Sequence, residues 1–427
     1  MATTAPRPTT RRAADDISYT DLYERWERGN WSATEIDFSQ DKIDWEEKMT
    51  DAQRRTAMWL FSLFFHGEDA VTDGLSPYID AAPLEEQKYF IATQQVDEAR
   101  HSVFFNRFMN EVVGLGDGSI AGGMNATEGQ LSWGHKMIFQ GLEDMCVALR
   151  ADKSPQQFAR AITLYHILIE ASLAQPGQHV IEAFLEQEDL LPGFRSGIAN
   201  VALDEQRHIA FGVKALADLY DADPKGTETA VLDVLRENGV YISGVAMPPN
   251  WDESYFTAFN YSYDDLGRDG VKALESRLKA IGIDLHSVER SPLPVDLPLD
   301  ERAERGRVLL QSNLVGPDRP ASRDPYATEV MFDSIARAAD VHVVPSGTVI
   351  EWAFTDAEPW QVSFDASKCS AARGSARKPS LKLVISFDDW ADLFAKRIDG
   401  RKLLLTRKLR PKGNLRLFAK FGKIFPA

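Results

Sequence analysis

Asp97-Glu98-Ala99-Arg100-His101 and Asp204-Glu205-Gln206-Arg207-His208 are nearly one five-residue phrase written twice. Each copy carries a Glu and a His three positions apart. On a helix that spacing sets both side chains on one face, one turn apart. A carboxylate and an imidazole so placed can share a metal ion, and two such helices facing each other can hold two. Helix bundles that build dinuclear carboxylate sites use this pair twice and add one carboxylate from each of the other two helices. The phrase therefore predicts a helical bundle, with one further acid on a helix upstream of each copy.

Both acids can be found. Before the first copy, Gly67-Glu68-Asp69-Ala70-Val71 follows the apolar run from Trp59 to Phe65. Before the second, Glu170 is embedded in Ile167-Leu168-Ile169-Glu170-Ala171. An ionised Glu in such a run is costly to bury without a partner, and a metal is such a partner. The candidate ligands are thus Glu68, Glu98, His101, Glu170, Glu205 and His208. Glu68 and Asp69 stand about 100° apart around a helix, so one of them faces the pair. Phe61, Phe64, Phe65, Val71 and Leu75 lie three, four or seven positions from Glu68 and lean the choice towards it. The neighbouring face also carries apolar residues, and Asp69 stays open as the alternative.

The chain has 427 residues, enough for two domains or more. It contains no run of about eighteen apolar residues, so no spanning helix is expected. Residues 1–15 lack the apolar segment of a secretory signal and read as a disordered leader. The two cysteines, Cys146 and Cys369, fall in different expected domains. That argues against a disulfide framework and for a reducing cytoplasm. Ligands drawn from Glu, Asp and His favour iron, manganese or zinc over soft metals. The net charge of −16 is unevenly spread, because Lys396 to Ala427 holds eleven Lys or Arg against one acid, Asp399. An acidic body argues against nucleic acid as the main partner. The basic segment reads as a solvated face, with peripheral contact to an anionic membrane as the alternative.

Residues 16–285 read as mostly helical. Dense apolar spacing runs through Asp51–Gly67, Leu84–Val113, Leu131–Leu149, Pro155–Leu185, Phe194–Tyr220, Thr227–Ser243 and Ser254–Ile281. Ser154-Pro155 offers an N-cap followed by proline at the first helical position. Gln175-Pro176-Gly177 interrupts its helix just after Glu170, where a kink either opens a substrate channel or serves packing alone. Residues 286–320 have linker composition with a short helix inside. Residues 321–427 read as a small α+β domain. In it Ala327–Ala339, Asp388–Arg397 and Asn414–Phe425 are helical, and Thr348–Phe354, Trp360–Phe364, Leu381–Phe387 and Arg401–Lys408 are β-prone.

With these residues in place, the chain resembles the ribonucleotide-reductase small-subunit superfamily of the ferritin-like fold, and within it the ligand-binding oxidases. The likeness runs from about Trp31 to residue 285. It rests on Trp31 to Phe38, Gly67 to Thr72, both Glu-x-x-His pairs, and Tyr165 five residues before Glu170. The resemblance implies an all-α ferritin-like bundle with two metal ions, two irons or manganese with iron, and dioxygen as co-substrate. It supports Glu68 as first ligand, where reductase subunits usually carry Asp. Radical-storing subunits place a tyrosine four residues after the first His ligand, and here that position is Phe105. In the oxidases, residues matching Val71 and Tyr165 become joined by an ether cross-link, so the resemblance implies that pair here. It also makes Asp204 the acid that orients a ligand His on an electron route towards Trp31. Asp97 reads as a solvated side chain.

The C-terminal region resembles the sterol carrier protein type 2 domain, a lipid-binding α+β fold. The likeness is carried by Trp352-Ala353-Phe354, Glu358-Pro359-Trp360, Leu381-Lys382-Leu383, Ser386 to Trp390 and Gly413-Asn414-Leu415. A docking or dimerisation module is the other reading of that region. The leading expectation is an oxygen-activating dimetal oxidase or oxygenase. Its substrate is a hydrophobic, fatty-acid-like molecule held or delivered by the C-terminal domain. Its electron donor is unknown, and a homodimer is its expected assembly. A reductase small subunit and a non-enzymatic lipid carrier with a structural metal site are the competing readings.

Overall fold

The computed structural model describes residues 12–288 and 290–425. The chain divides into two compact units: Met1–Leu235 with Asp252–Leu285, and Arg236–Trp251 with His286–Ala427. Residues 1–11 of the expected leader lie outside the described residues. The remainder of that leader is not disordered. Ala13–Asp16 form a 3-10 turn with Ala14 buried. The guanidinium of Arg12 donates to Ile281 O at 2.7 Å and to Asp221.

The first unit is an all-α bundle, and four stretches of it carry the candidate ligands. Asp51–Gly74 holds Glu68, and Glu85–Phe108 holds Glu98 and His101. Pro192–Ala222 holds Glu205 and His208. Glu170 lies in Thr163–Ala174, a π-helical segment between Pro155–Ile162 and Gln175–Glu188. The sequence starts these helices with identifiable chemistry. Thr50 and Gln53 form a reciprocal capping box ahead of Asp51. Leu191, with φ 50°, breaks the chain before Pro192. Asp41 then accepts from Gly193 N at 2.8 Å and Phe194 N at 2.6 Å, capping the new helix from a distant part of the sequence. Aromatic rings lock the bundle together: Phe61 stacks on Phe194 at 4.0 Å, and Phe104, Phe105 and Phe108 pack around Phe194.

The π segment widens the helix at Glu170, and such wide turns occur often at functional sites. Ser172 Oγ donates back to Ile167 O at 2.6 Å, five residues earlier. Two glycines let neighbouring helices close on this segment. A Cβ at Gly212 would lie 2.3 Å from His166 Cβ, and one at Gly270 would lie 2.7 Å from Ser172 O. Ser254–Ile281, expected as one helix, is instead Ser254–Thr257 and Tyr263–Ile281. Asn260 sits at φ 57° between them, and Ser262 caps the second.

The second unit contains a five-stranded sheet of order β3-β2-β1-β4-β5. The strands are β1 Val349–Phe354, β2 Trp360–Phe364, β3 Cys369–Arg373, β4 Leu381–Ile385 and β5 Arg410–Gly413. β1 pairs parallel with β4, and the other neighbours are antiparallel. Phe332, on the helix Pro325–Ala338, is the centre of its aromatic core. Its ring stacks on Trp360 at 4.6 Å and on Trp390 at 5.0 Å. The fold is thus a small α+β domain following a ferritin-like bundle. The edge strands β3 and β5 gave no sequence signal, because both are largely exposed and lack buried alternation. Arg401–Lys408 is a correction: Asp399 accepts from Arg401 N at 2.8 Å and starts a helix, Gly400–Leu405. Among the described residues no helix is long and apolar enough to cross a membrane.

Because Gly212 brings the His208 helix against the Glu170 segment, Gly212→Ala is expected to cost about 1–3 kcal/mol by overpacking. Chemical unfolding measures this, and a wild-type midpoint would contradict the close approach.

Candidate metal centre

Each imidazole of the repeated phrase is held by the aspartate of the other copy. His101 Nε2 donates to Asp204 Oδ2 at 3.1 Å, and His208 Nε2 donates to Asp97 Oδ2 at 3.1 Å. The aspartates accept from a tryptophan each: Trp31 Nε1 reaches Asp204 at 2.8 Å, and Trp26 Nε1 reaches Asp97 at 2.9 Å. Arg100 donates to both aspartates, and so does Arg207. Arg100 also lies over the Trp31 ring. Asp97, expected to be solvated, is therefore corrected: it is 1 % exposed and mirrors Asp204. The signal was present in the sequence, since both copies begin with Asp.

With Nε2–H spent on an aspartate, each Nδ1 faces carboxylate oxygens. His101 Nδ1 lies 3.1 Å from Glu68, 3.4 Å from Glu98 and 3.6 Å from Glu205. His208 Nδ1 lies 3.2 Å from Glu98, 3.5 Å from Glu170 and 3.6 Å from Glu205. Glu98 and Glu205 each present one oxygen to each imidazole, so they stand between two halves. One half adds Glu68 and His101, the other Glu170 and His208. Ligand atoms of Glu68, Glu98, His101 and Glu205 lie within 4.8 Å of one another, as do those of Glu98, Glu170 and His208. All six residues are buried. Asp69 is half-buried and outside both groups, so Glu68 is the member of that pair that meets the histidines.

The donor set fits two cations. Glu170 Oε2, Glu205 Oε2 and His208 Nδ1 are buried without a hydrogen-bond partner. Four buried carboxylates around two imidazoles demand positive charge, and borderline nitrogen with hard oxygen suits iron or manganese. Electrostatics show the same demand. Burial pushes Glu68 well above the carboxylate range, against the pull of His101. Burial likewise raises Glu205, helped by Glu98, and lifts Glu170 to about 8. Burial alone would lower both histidines, but Glu68 raises His101 and Glu98 raises His208 well above the usual imidazole value.

Tyr165 is buried, and its hydroxyl donates to Glu98 at 2.6 Å. Gln94, which sequence reasoning missed, donates from Nε2 to Tyr165 at 3.0 Å and to Glu170 at 2.8 Å. Its Oε1 faces His166 Nε2 at 3.1 Å. A lone Gln inside a helix carries no motif, so only the packing could reveal it. Val71 is buried one turn after Glu68. Phe105 is fully buried in the aromatic core and stacks on Phe64. A cleft of about 430 Å³ opens beside Glu205, lined among others by Gln175, Pro176, Gln178 and Ala202. The Pro176 region thus borders an opening that reaches a candidate ligand. Gln178 is 2 % exposed there, and its Nε2 has no partner.

Against this geometry, a family model described as "Ribonucleotide reductase, small chain" matches residues 13–238. The chain belongs to that family. A model of the "SCP-2 sterol transfer family" matches residues 338–426, so the protein is a fusion of the two. Solved R2-like ligand-binding oxidases are similar in structure. One from Sulfolobus acidocaldarius shares the fold, with 23% identity, TM-score 0.51, and coverage of 62% of this chain and 92% of its own. Two variants of an R2-like ligand-binding oxidase carry a reconstituted Mn/Fe cofactor, one prepared aerobically and one anaerobically. They are 26% identical to this chain, with TM-scores of 0.54 and 0.53, covering 62% of it and 94% of themselves.

Two outcomes are expected. Asp97→Asn weakens the acceptor for His208 and lowers Mn(II) affinity about 10–100-fold. Asp69→Asn leaves that affinity unchanged; equal effects in titration calorimetry would contradict the assignment. Second, a metal ligand must lose its proton. Mn(II) affinity therefore rises with pH through about 8, where Glu170 titrates. In the metal-free protein the proton on Glu170 stabilises the fold below the ordinary carboxylate range, and that contribution fades as pH climbs through about 8. Proton release, read in buffers of different ionisation enthalpy, checks this; pH-independent affinity would contradict it.

Proposed function

We propose that the protein is an oxygen-using dimetal oxidase or oxygenase with a hydrophobic, fatty-acid-like substrate. Glu68, Glu98, His101, Glu170, Glu205 and His208 are its metal ligands. The observation that carries this reading is the pair of Nδ1 atoms aimed at unsatisfied buried carboxylates, with Glu98 and Glu205 reaching both. Two irons, or manganese with iron, supply the redox capacity for reducing dioxygen and oxidising a C–H bond. The Mn/Fe cofactor of the similar oxidases supports that metal choice.

The chain's own residues do the positioning. Asp204 and Asp97 fix each imidazole so that Nδ1 points inward. Asp204, in contact with Trp31, links the centre to an electron donor yet to be identified. Tyr165 holds Glu98, and Gln94 holds Tyr165 and Glu170, so the carboxylates have a defined resting orientation. The aromatic core of Phe61, Phe104, Phe105 and Phe194 keeps water from that side. Substrate approaches through the cleft beside Glu205, and the free Nε2–H of Gln178 meets its polar end. Phe105 offers no phenol for radical storage, which favours an oxidase over a reductase subunit. Val71 and Tyr165 are the pair for an ether cross-link. The phenol O–H and a valine C–H lose their hydrogens as the C–O bond forms, and the two protons and two electrons pass to dioxygen.

The C-terminal domain holds or delivers the apolar substrate, and its match to a sterol transfer family supports that role. The protein works as a homodimer in the cytoplasm, a setting that suits its two free cysteines.

Metal-depleted protein loaded anaerobically with Fe(II), alone or with Mn(II), is expected to consume dioxygen on exposure to air. Glu170→Ala abolishes that uptake. Peptide mass spectrometry of the aerobically loaded protein is expected to find the Val71 and Tyr165 peptides joined, lighter by a pair of hydrogens, and separate in Tyr165→Phe. Metal uptake that raises the melting temperature without oxygen consumption would sink the oxidase reading and favour a lipid carrier.

A further inference from the structure

Among the described residues, the C-terminal segment of this acidic chain is strongly basic and exposed, and it also exposes leucines. Lys396, Arg401, Lys402, Arg407, Lys408, Arg410, Lys412, Arg416, Lys420 and Lys423 are all exposed. Arg401, Lys402, Arg407 and Arg410 form no ion pair among the described residues, whereas Lys408 is held by Asp389. The densest part is a single compact cap. The helix Gly400–Leu405 ends in a tight turn in which Lys408 N and Leu409 N both donate to Leu403 O, with Arg407 at φ 59°. Leu403 and Leu409 are buried and anchor the cap. Leu405, in contrast, is 86% exposed, and Leu404 is 37% exposed. Leu405 shares a helix face with Arg401 and Lys402, four and three positions before it. Just past β5, Leu415 is a further exposed leucine, at 58%.

We propose that this cap, Arg401 to Arg410, docks the C-terminal domain on an anionic membrane surface. Leu405 enters the headgroup boundary, and Arg401, Lys402, Arg407 and Arg410 meet lipid phosphates. Charge complementarity selects this occupant. Such a surface rewards a cationic rim and an exposed aliphatic tip together. Nucleic acid rewards only the cations, and aromatic side chains for stacking are absent from the cap. Residues 1–395, at about −26, are repelled by the same surface. A domain that exchanges apolar ligands thereby gains direct contact with the phase that contains them. This surface is independent of the metal centre, and metal-depleted protein is expected to dock equally well.

The test is co-sedimentation of the full chain with vesicles of phosphatidylcholine alone or mixed with phosphatidylglycerol. Binding is expected only to the mixed vesicles and is expected to fall as salt is raised. Replacing Arg401, Lys402 and Arg407 together by Gln weakens it about a hundredfold. Leu405→Asp weakens it about tenfold, and both variants keep the wild-type melting temperature because the altered side chains are exposed. Equal binding to neutral vesicles, or wild-type binding by the triple variant, would overturn the proposal. So would salt-sensitive self-association without vesicle binding, which would assign the cap to the acidic body of a second copy.

Discussion

The exchange of partners between the two copies of the repeated phrase is the constraint on which the bundle depends. Asp204 holds His101 and Asp97 holds His208, so each ligand helix is oriented by the other. Arg100 and Arg207 bridge the two aspartates and neutralise them. Truncating one member would leave a buried charge unpaired, which is far more costly than losing a surface pair. The helices Glu85–Phe108 and Pro192–Ala222 are therefore fixed in register before any ion is considered.

The interior on either side of that brace differs in kind. On one side rings of phenylalanine pack without polar atoms, and on the other, acids and imidazoles converge with unsatisfied atoms. A fold tolerates such a polar cluster when something compensates it. Burial raises Glu68 and Glu170, and the facing carboxylates raise both histidines, so the cluster favours its protonated forms. Metal ions held by this set would replace those protons, which would couple ion uptake to fold stability. The π segment at Glu170 and the close approaches at Gly212 and Gly270 bring the helix that carries Glu170 in.

Much of this was legible because the information is local and periodic. The Glu-x-x-His spacing, the apolar runs around Glu68 and Glu170, and the helix start at Ser154-Pro155 all act within a turn or two of helix. Asp97 was misread because its partner, His208, lies 111 positions away. Gln94 joins three side chains across two helices, and no spacing in sequence encodes that. The π winding was hidden because Thr163 to Ser172 are buried on every side, so the segment has no solvent-facing helical face to read. In the C-terminal domain, β2 and β4 alternate in burial and β1 carries a run of three buried residues, so all three were visible, whereas edge strands β3 and β5 are largely exposed. Arg401–Lys408 misled because its leucines suggest a strand while the cap at Asp399 dictates a helix.

The most direct measurement is an anomalous-diffraction map of crystals of the metal-loaded protein, recorded at the iron and manganese edges. Two peaks are expected. One lies with Glu68 and His101, the other with Glu170 and His208, and Glu98 and Glu205 reach both. A single peak, or peaks away from these six residues, would contradict it.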